Sequence, residues 1–201
     1  MRLDTLVSEA TEFPQLDRMS HSKQVLRSTS RAQLKTISPA QRQAAGRAIA
    51  AWLSTWEKWT RPTTGAIALF NPLIDEPDIR WLVQAHPNTR WWLPTYQLGD
   101  ANTQPGPGWK PSDPADCHHS LSIIQLVLIP GLAFDRRGGR LGRGGGWYDR
   151  ALATLSPTAI RVGICYTSQL INEVPTEPHD IRMHHLITET GIVTPLPELH
   201  W

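Results

Sequence analysis

QLVLIPGLAFDRRGGRLGRGGGWYDR, residues 125–150, joins a continuous apolar segment to a loop rich in glycine and arginine and then to the start of a helix. The segment Gln125–Pro130 predicts a buried strand of a parallel sheet. The loop Asp135–Arg150 therefore lies near the carboxyl end of a strand, where ligands bind in α/β domains. Glycine lets the backbone approach a ligand closely, and arginine side chains and amide N–H groups donate to phosphate oxygens. The stretch indicates a phosphate-binding loop, in which Asp149 adds a carboxylate suited to Mg²⁺.

The arginine and glycine composition also occurs in flexible segments that bind RNA. Such segments lie in disordered tails, whereas this loop lies between a predicted strand and a predicted helix. The order GxxxxGK[ST] of a P-loop is absent. A site for a small phosphorylated molecule is therefore favoured over an RNA-associated module or a simple turn.

Strands and helices alternate on both sides of this loop. The other predicted strands are Gly65–Phe70, Arg90–Pro94, Ala159–Tyr166 and His185–Thr188. The predicted helices are Ser22–Leu34, one that begins at Ser38 and Pro39, Asp78–Ala85 and Trp147–Leu155. Gln97–Cys117, rich in proline and glycine, is predicted to be a loop or linker. This order predicts a single α/β domain, with a mixed or mainly parallel sheet flanked by helices, over residues 21–201. Residues 1–20 are predicted to be a flexible extension.

Composition limits the classes of protein that this chain can represent. It has 201 residues, 40% of them hydrophobic, which is enough for one domain with its own core. A formal net charge of +2 gives no general surface for polyanions. Cys117 and Cys165 lack metal-site spacing and fit free thiols in a reducing compartment. Neither a membrane span nor a secretory signal is visible. We expect a cytoplasmic monomer that binds neither nucleic acid nor membrane.

Several segments together resemble one enzyme family. IPGLAFDRRGGRLGRGGGWYDRAL, Ile129–Leu152, resembles the signature of the 5-formyltetrahydrofolate cyclo-ligases, also called methenyltetrahydrofolate synthetases, in which a PGLAFD-type strand end precedes RLGxGxGYYDR. KQVLR at Lys23–Arg27 is similar to the family's KxxLR. FNPLIDEPDI at Phe70–Ile79 resembles its strand and Glu-bearing loop, and QLINEVPTEPHDIRMHHLITE, which begins at Gln169, resembles its C-terminal segment. The resemblance covers most of the chain from Ser22 onward.

The resemblance implies a fold of the isomerase and CoA-transferase-like type, with ATP and Mg²⁺ as cofactors. The implied reaction closes 5-formyltetrahydrofolate to 5,10-methenyltetrahydrofolate and releases ADP and phosphate. In that reaction the γ-phosphoryl group moves to the formyl oxygen, and folate nitrogen 10 attacks the resulting iminium phosphate. A pseudo-enzyme that binds nucleotide or folate without turnover is the alternative within the same family.

The resemblance also implies roles for individual positions. Arg140 and Arg143 are expected to act in catalysis, Asp149 and Asp180 to bind the metal, and Glu76 to grip the pterin ring. The implied nucleotide-binding residues are Lys23, Arg27, Arg140, Leu141, Gly142, Arg143, Gly144, Gly145, Gly146, Trp147 and Tyr148. The implied substrate-binding residues are Asn71, Glu76, Arg143, Gly144, Gly145, Gly146 and Trp147.

From the residues alone, several of these positions have a simpler interpretation. Lys23 and Arg27 share one helix face at i, i+4 spacing, which is also the pattern of a solvated face. Asp149 fits a charge in the first helical turn, and Glu76 fits a capping residue beside Pro77.

Two features depart from the family's pattern. Gly145 stands where some members carry lysine, which places more weight on Arg143 as a phosphate donor. Pro94–Pro130 is shorter than the family's usual interval, and Gln104–Pro105 is the nearest remnant of a folate-facing element. We therefore expect an altered folate pocket.

Overall fold

The computed structural model describes residues 13–60, 65–95, 108–113, 115 and 120–195, with the backbone alone for residues 13–21 and 60. The helices are α1 (Phe13–Leu34), α2 (Pro39–Thr55), α3 (Glu57–Thr60), α4 (Trp81–Ala85) and α5 (Trp147–Leu152). The strands are β1 (Ala66–Ala68), β2 (Trp91–Pro94), β3 (Trp109–Pro111), β4 (Ile124–Ile129), β5 (Ala133–Asp135), β6 (Arg140–Leu141), β7 (Ile160–Ile164), β8 (Leu170–Ile171), β9 (His185–Thr188) and β10 (Gly191–Val193). Among the helices described, none combines the length and the apolar character needed to cross a bilayer.

The described strands form a large mixed sheet in the order β10-β9-β7-β4-β1-β2-β3 and a small one in the order β6-β5-β8. In the large sheet, β9, β7, β4, β1 and β2 are parallel to one another. The edge strands β10 and β3 run antiparallel to their neighbours. The predicted α/β architecture, a mixed sheet flanked by helices, is confirmed.

Strand β4 lies at the centre of the large sheet because its residues are apolar on both faces. All of its residues except Gln125 are buried. Leu126 and Leu128 pack on one face with Ile49 and Leu53 of α2. The alternate β4 residues pack on the other face against α5. Helices thus cover both faces of the sheet, as a parallel arrangement requires.

Helix α2 begins as the sequence predicts. Ser38 Oγ accepts a hydrogen bond from the Gln41 backbone N–H at 3.3 Å, and Gln41 Oε1 accepts one from the Ser38 N–H at 2.9 Å. This capping box satisfies two donors that the first turn leaves unpaired. Trp52, in the fourth turn of α2, is 41% exposed although it is a large apolar residue.

Two predictions about local structure are wrong. Helix α1 was predicted to start at Ser22, but it begins at Phe13 and continues through Ser22. Residues 1–12 of the predicted extension lie outside the described part. Within the predicted linker, Trp109–Pro111 forms a strand that pairs with β2, Trp92 opposite Pro111. An edge strand tolerates proline because one side of it forms no ladder bonds, so the proline content of this stretch did not exclude a strand.

The small sheet is organised by the buried carboxylate of Asp135, which is 1% exposed. Its Oδ1 accepts hydrogen bonds from the N–H groups of Arg137 at 2.8 Å and Gly139 at 2.9 Å, and its Oδ2 accepts one from Val174 at 2.8 Å. Between β5 and β6, Gly138 has a φ of +84° and its Cα lies against Met183 O, where a Cβ would come within 2.4 Å. The carboxylate therefore joins the turn before the arginine and glycine loop to the segment that follows β8.

We expect Asp135→Ala to lower the free energy of unfolding by about 2–4 kcal/mol, because the buried N–H groups of Gly139 and Val174 lose their acceptor. Asp135→Asn should cost less, since its one carbonyl oxygen still accepts. Denaturant titration of the three proteins measures the difference, with the surface variant Glu173→Gln as a control. Equal stability of Asp135→Ala and the control would contradict this role.

Candidate functional site

A cavity of about 510 Å³ opens where the arginine and glycine loop meets α1 and two acidic segments, one that contains Glu76 and one that contains Glu177 and Asp180. Its volume lies in the range of small-molecule sites, about 300–1,000 Å³. The predicted site residues that line it are Lys23, Arg27, Glu76, Arg140, Leu141, Gly142, Arg143, Gly144, Gly145, Gly146, Trp147, Tyr148, Asp149 and Asp180. Asn71 is exposed and lies outside this lining, so its role stays a prediction.

Helix α1 supplies Lys23, a buried lysine that is 7% exposed. Its Nζ donates to Asp180 Oδ2 at 2.7 Å and lies 3.1 Å from Glu177 Oε1. Asp180 Oδ2 also accepts from the Glu177 backbone N–H at 2.7 Å. Burial raises the pKa of Asp180, but the bonds from Lys23 and Glu177 outweigh burial, so its net pKa lies below the ordinary value.

The next two turns of α1 hold the loop by its carbonyl groups. Arg27 Nε donates to the Gly142 carbonyl at 3.1 Å, and Arg31 Nη2 donates to the Arg143 carbonyl at 2.9 Å. The i, i+4 spacing thus serves two successive residues of the loop. Gly144 follows with a φ of +108°, a conformation that side chains disfavour. The backbone bends there, and the bend keeps the loop beside α1.

Arg143 crosses the cavity to the acidic segment that precedes α4. Its Nη2 donates to Asp75 Oδ1 at 2.5 Å and to Glu76 Oε1 at 3.1 Å, and its Nε lies 3.3 Å from the same Glu76 oxygen. Glu76 Oε2 accepts from the Leu73 N–H at 2.9 Å. Burial raises the pKa of Glu76, and the Leu73 N–H and Arg143 offset only part of that increase. From behind, Arg42 Nε donates to the Glu76 carbonyl at 2.7 Å and fixes this segment.

Arg140 and Asp149 form a third charged pair, between β6 and α5. Arg140 Nη2 donates to Asp149 Oδ1 at 2.9 Å, and the Arg140 side chain is only 4% exposed. The Tyr148 ring lies 5.4 Å from the guanidinium carbon, within reach of a cation–π contact. Arg140 Nε is buried and has no hydrogen-bond partner within the described part of the chain. A buried donor without a partner is rare in folded proteins, and the Arg140 residue itself lines the cavity.

Trp147 connects the cavity to the edge strand that the sequence failed to predict. Its ring lies 5.5 Å from that of Trp109 on β3 and 4.8 Å from that of Tyr148, both in edge-to-face geometry. Aromatic pairs of this kind add to the burial of apolar area. The short segment between Pro94 and Pro130 therefore contributes a wall behind the loop.

Four charged residues of this arrangement were not predicted from the sequence: Arg31, Arg42, Asp75 and Glu177. Asp75 precedes Glu76, and Glu177 lies three residues before Asp180 in the same acidic segment. Arg31 continues the basic stripe of Lys23 and Arg27 at a step of four. That spacing was the available signal for Arg31. Asp75 and Glu177 lie next to predicted acidic residues, but an acidic residue in the sequence does not reveal which arginine or lysine it contacts.

Carboxylate oxygens are present for a magnesium ion, although they do not form a preassembled cluster. In the part of the chain that the structure describes, no group of three or more His, Cys, Asp or Glu side chains is placed to hold a metal ion by itself. The bonds from Arg140 and Lys23 each use one oxygen, Oδ1 of Asp149 and Oδ2 of Asp180. Mg²⁺ is often bound by one or two carboxylates together with substrate phosphates, and this donor set fits that mode.

Comparison with known proteins identifies the family. The model of the 5-formyltetrahydrofolate cyclo-ligase family matches residues 19–189. The chain belongs to this family. The match includes the α1 stripe, the acidic segment at Asp75 and Glu76, and the arginine and glycine loop, so the family's pattern covers every wall of the cavity.

Several relatives of this cyclo-ligase family member carry the name of the family's enzyme. The 5-formyltetrahydrofolate cyclo-ligase of Mycolicibacterium smegmatis is 40% identical over 45% of this chain and 44% of its own length. The mitochondrial 5-formyltetrahydrofolate cyclo-ligase of Arabidopsis thaliana is 28% identical over 91% of this chain and 79% of its own length. The solved structure of Aquifex aeolicus 5,10-methenyltetrahydrofolate synthetase has a TM-score of 0.67 at 22% identity and covers 89% of this chain and 95% of that one. That structural likeness supports the fold.

We expect Lys23→Met to raise the pKa of Asp180, because burial then acts without the neighbouring ammonium. In the wild-type protein the lowered pKa means that ionised Asp180 contributes stability above its unfolded pKa, and this contribution is lost as the pH falls through the lower folded pKa. A carboxyl ¹³C NMR titration of Asp180 measures the shift. Lys35→Met, at an exposed lysine just beyond α1, is the control. Identical titrations of Asp180 in both variants would show that Lys23 does not set its pKa.

Proposed function

We propose that this protein closes 5-formyltetrahydrofolate to 5,10-methenyltetrahydrofolate in a reaction that consumes ATP and requires Mg²⁺. Membership of the cyclo-ligase family supports the proposal. The observation that carries it to this cavity is the convergence of Lys23, Arg27, Arg140 and Arg143 with four carboxylates on one space of about 510 Å³. Phosphoryl transfer depends mainly on positioning and on neutralising charge, and this set of side chains can do both.

The first step of the proposed reaction makes the formyl oxygen a leaving group. That oxygen attacks the γ-phosphorus of ATP, and the bond from the γ-phosphorus to the bridging oxygen breaks with release of ADP. Arg143 and Arg140 are proposed to donate to the phosphoryl oxygens as charge moves onto them. Arg140 and Arg143 both line the cavity, which places their guanidinium groups beside the proposed phosphate position.

In the second step folate nitrogen 10 attacks the iminium carbon, and the carbon–oxygen bond breaks to release phosphate. The proton of nitrogen 10 is lost to solvent. Glu76 is proposed to hold the pterin ring, with Asn71 and Trp147 as further folate contacts, and the loop Gly144–Gly146 passes between substrate and nucleotide. Binding both substrates next to each other supplies the proximity on which such a ring closure depends.

The nucleotide is proposed to bind along α1 and the loop. Lys23 and Arg27 face the cavity, with Leu141, Gly142 and Tyr148 as the loop's contribution. Arg27 uses Nε for the Gly142 carbonyl, and its two terminal nitrogens are proposed to donate to phosphate oxygens. Phosphate oxygens would compete with Asp180 and Glu177 for the Lys23 ammonium, so nucleotide binding would release carboxylate oxygens for the metal.

Magnesium is proposed to be held by Asp149 and Asp180. When bound, it supplies positive charge that polarises the phosphates and neutralises the leaving ADP. Asp149 keeps Oδ2 beyond its bond to Arg140, and Asp180 keeps Oδ1, which lies 3.9 Å from His179 Nε2. We also propose that the protein is a monomer and that it acts without a nucleic acid partner.

A direct assay follows the near-ultraviolet absorbance of the methenyl product. We expect it to rise with 5-formyltetrahydrofolate and MgATP, and to stay flat when ATP is omitted or EDTA is added. Asp149→Asn should lower the rate at least 100-fold, since the amide still accepts from Arg140 but loses the charge that binds the metal.

The exposed carboxylate variant Asp113→Asn is the control for this assay and should retain the wild-type rate. Circular dichroism of Asp149→Asn should match the wild-type spectrum. Absence of product with the wild-type protein, while MgATP still binds, would overturn the proposed reaction and favour a nucleotide-binding pseudo-enzyme. A wild-type rate with Asp149→Asn would remove that residue from the metal site.

A further inference from the structure

The guanidinium group of Arg143 is shared between two carboxylates of very different exposure. Glu76 is buried at 4% exposed, and its second oxygen is already bonded to the Leu73 N–H. Asp75 is half-buried, with its side chain 17% exposed, and it makes the shorter contact to Arg143 Nη2. Two carboxylates therefore bond to one guanidinium group, although one carboxylate alone would neutralise its charge.

The main chain of Arg143 is held as well as its side chain. Arg31 Nη2 donates to the Arg143 carbonyl at 2.9 Å. Glu76 accepts from both Nε and Nη2, which share one edge of the guanidinium group, and Asp75 accepts from Nη2. A planar guanidinium group fixed along one edge can direct its other donors in only one plane. Arg143 is thus anchored at its backbone and along one edge of its side chain.

We propose that Asp75 is a positioning residue that keeps Arg143 oriented toward the transferring phosphoryl group while Glu76 engages the substrate. This inference rests on the proposed function. If Glu76 turns its Oε1 to the pterin ring, Arg143 loses two of its three carboxylate contacts, those at 3.1 and 3.3 Å. Asp75 then supplies the remaining contact, and without it the long arginine side chain would gain rotational freedom at the moment when its donors are needed.

The contact between Asp75 and Arg143 could instead have a purely structural role, in which Asp75 stabilises the segment before α4. That segment, however, is already held from behind by Arg42, which donates to the Glu76 carbonyl at 2.7 Å. Asp78 of the same segment is paired separately with Arg80 at 2.7 Å. The segment before α4 is thus held by bonds that do not involve Asp75. The bond from Arg143 to Asp75 is therefore not needed to hold that segment, and it can serve to orient Arg143.

The test compares Asp75→Asn, Asp75→Ala and Asp75→Glu with a control, Glu173→Gln. Glu173 also pairs with an arginine, Arg137 at 3.5 Å, but outside the cavity. A displacement of a catalytic group by about 1 Å can cost about 100-fold in rate. We expect Asp75→Ala to lower kcat about 10- to 100-fold with the KM for MgATP changed less than about twofold, because oriented donors act mainly in the transition state.

Asp75→Glu keeps the charge and should recover at least about a third of the wild-type kcat, whereas Asp75→Asn should fall between Asp75→Ala and wild type. Glu173→Gln should match wild type. If kcat of Asp75→Ala equals that of the control, or if KM for MgATP rises while kcat is unchanged, the positioning role is wrong. Asp75→Asn preserves size and an acceptor oxygen, so it remains informative if the alanine variant is unstable.

A second measurement does not depend on turnover. Nitrogen-15 NMR of the Arg143 Nε–H reports how fast that proton exchanges with solvent, and it is recorded without ligands in a Glu76→Ala background, in which Asp75 supplies the remaining carboxylate contact to Arg143. We expect exchange to be faster when Asp75→Asn or Asp75→Ala is added to that background than in the background alone or with Glu173→Gln added. Unchanged exchange would overturn the inference, whatever the rates show. If the wild-type protein lacks cyclo-ligase activity, the proposed function fails, and the exchange measurement still decides whether Asp75 orients Arg143.

Discussion

The hydrogen bonds that the Asp135 carboxylate accepts from three backbone N–H groups fix the geometry on which the cavity depends. They set where β5 ends, how the turn at Gly138 closes, and where β6 places Arg140. The same carboxylate bonds to Val174, in the segment that leads to Asp180. A buried acceptor that no other group replaces is costly to lose. The arginine and glycine loop and the segment that leads to Asp180 are therefore joined through one carboxylate.

Charge compensation governs the cavity itself. Lys23 is paired with Asp180, Arg140 with Asp149, and Arg143 with Asp75 and Glu76. Each pair joins two different segments of the chain, so the charges that are proposed to bind phosphates and metal also hold the walls of the cavity together. Breaking one partner of a buried pair leaves an uncompensated charge. Substrates of matching charge would exchange with these internal partners, and the folded protein can thus keep several buried charges before any ligand arrives.

The sequence predicted the parts of the fold whose cause is local. Strands β1 and β4 follow from apolar runs, and α2 follows from the helix-start signal of Ser38 and Pro39. Strand β3 was missed because Trp109 lies among prolines and glycines and becomes a strand only by pairing with β2. In the site, the loop and the face shared by Lys23 and Arg27 were predictable from composition and spacing. The contact between Asp75 and Arg143 was not, since it depends on how distant segments meet in space.

The most direct test of the proposed chemistry follows the formyl oxygen. 5-Formyltetrahydrofolate labelled with ¹⁸O in the formyl group is converted with unlabelled MgATP in a single turnover, and the released phosphate is analysed by mass spectrometry. Transfer of the γ-phosphoryl group to that oxygen predicts one ¹⁸O atom in each phosphate and none in ADP. Unlabelled phosphate, with the ¹⁸O recovered in water, would contradict phosphoryl transfer to the formyl oxygen and with it the role given to this cavity.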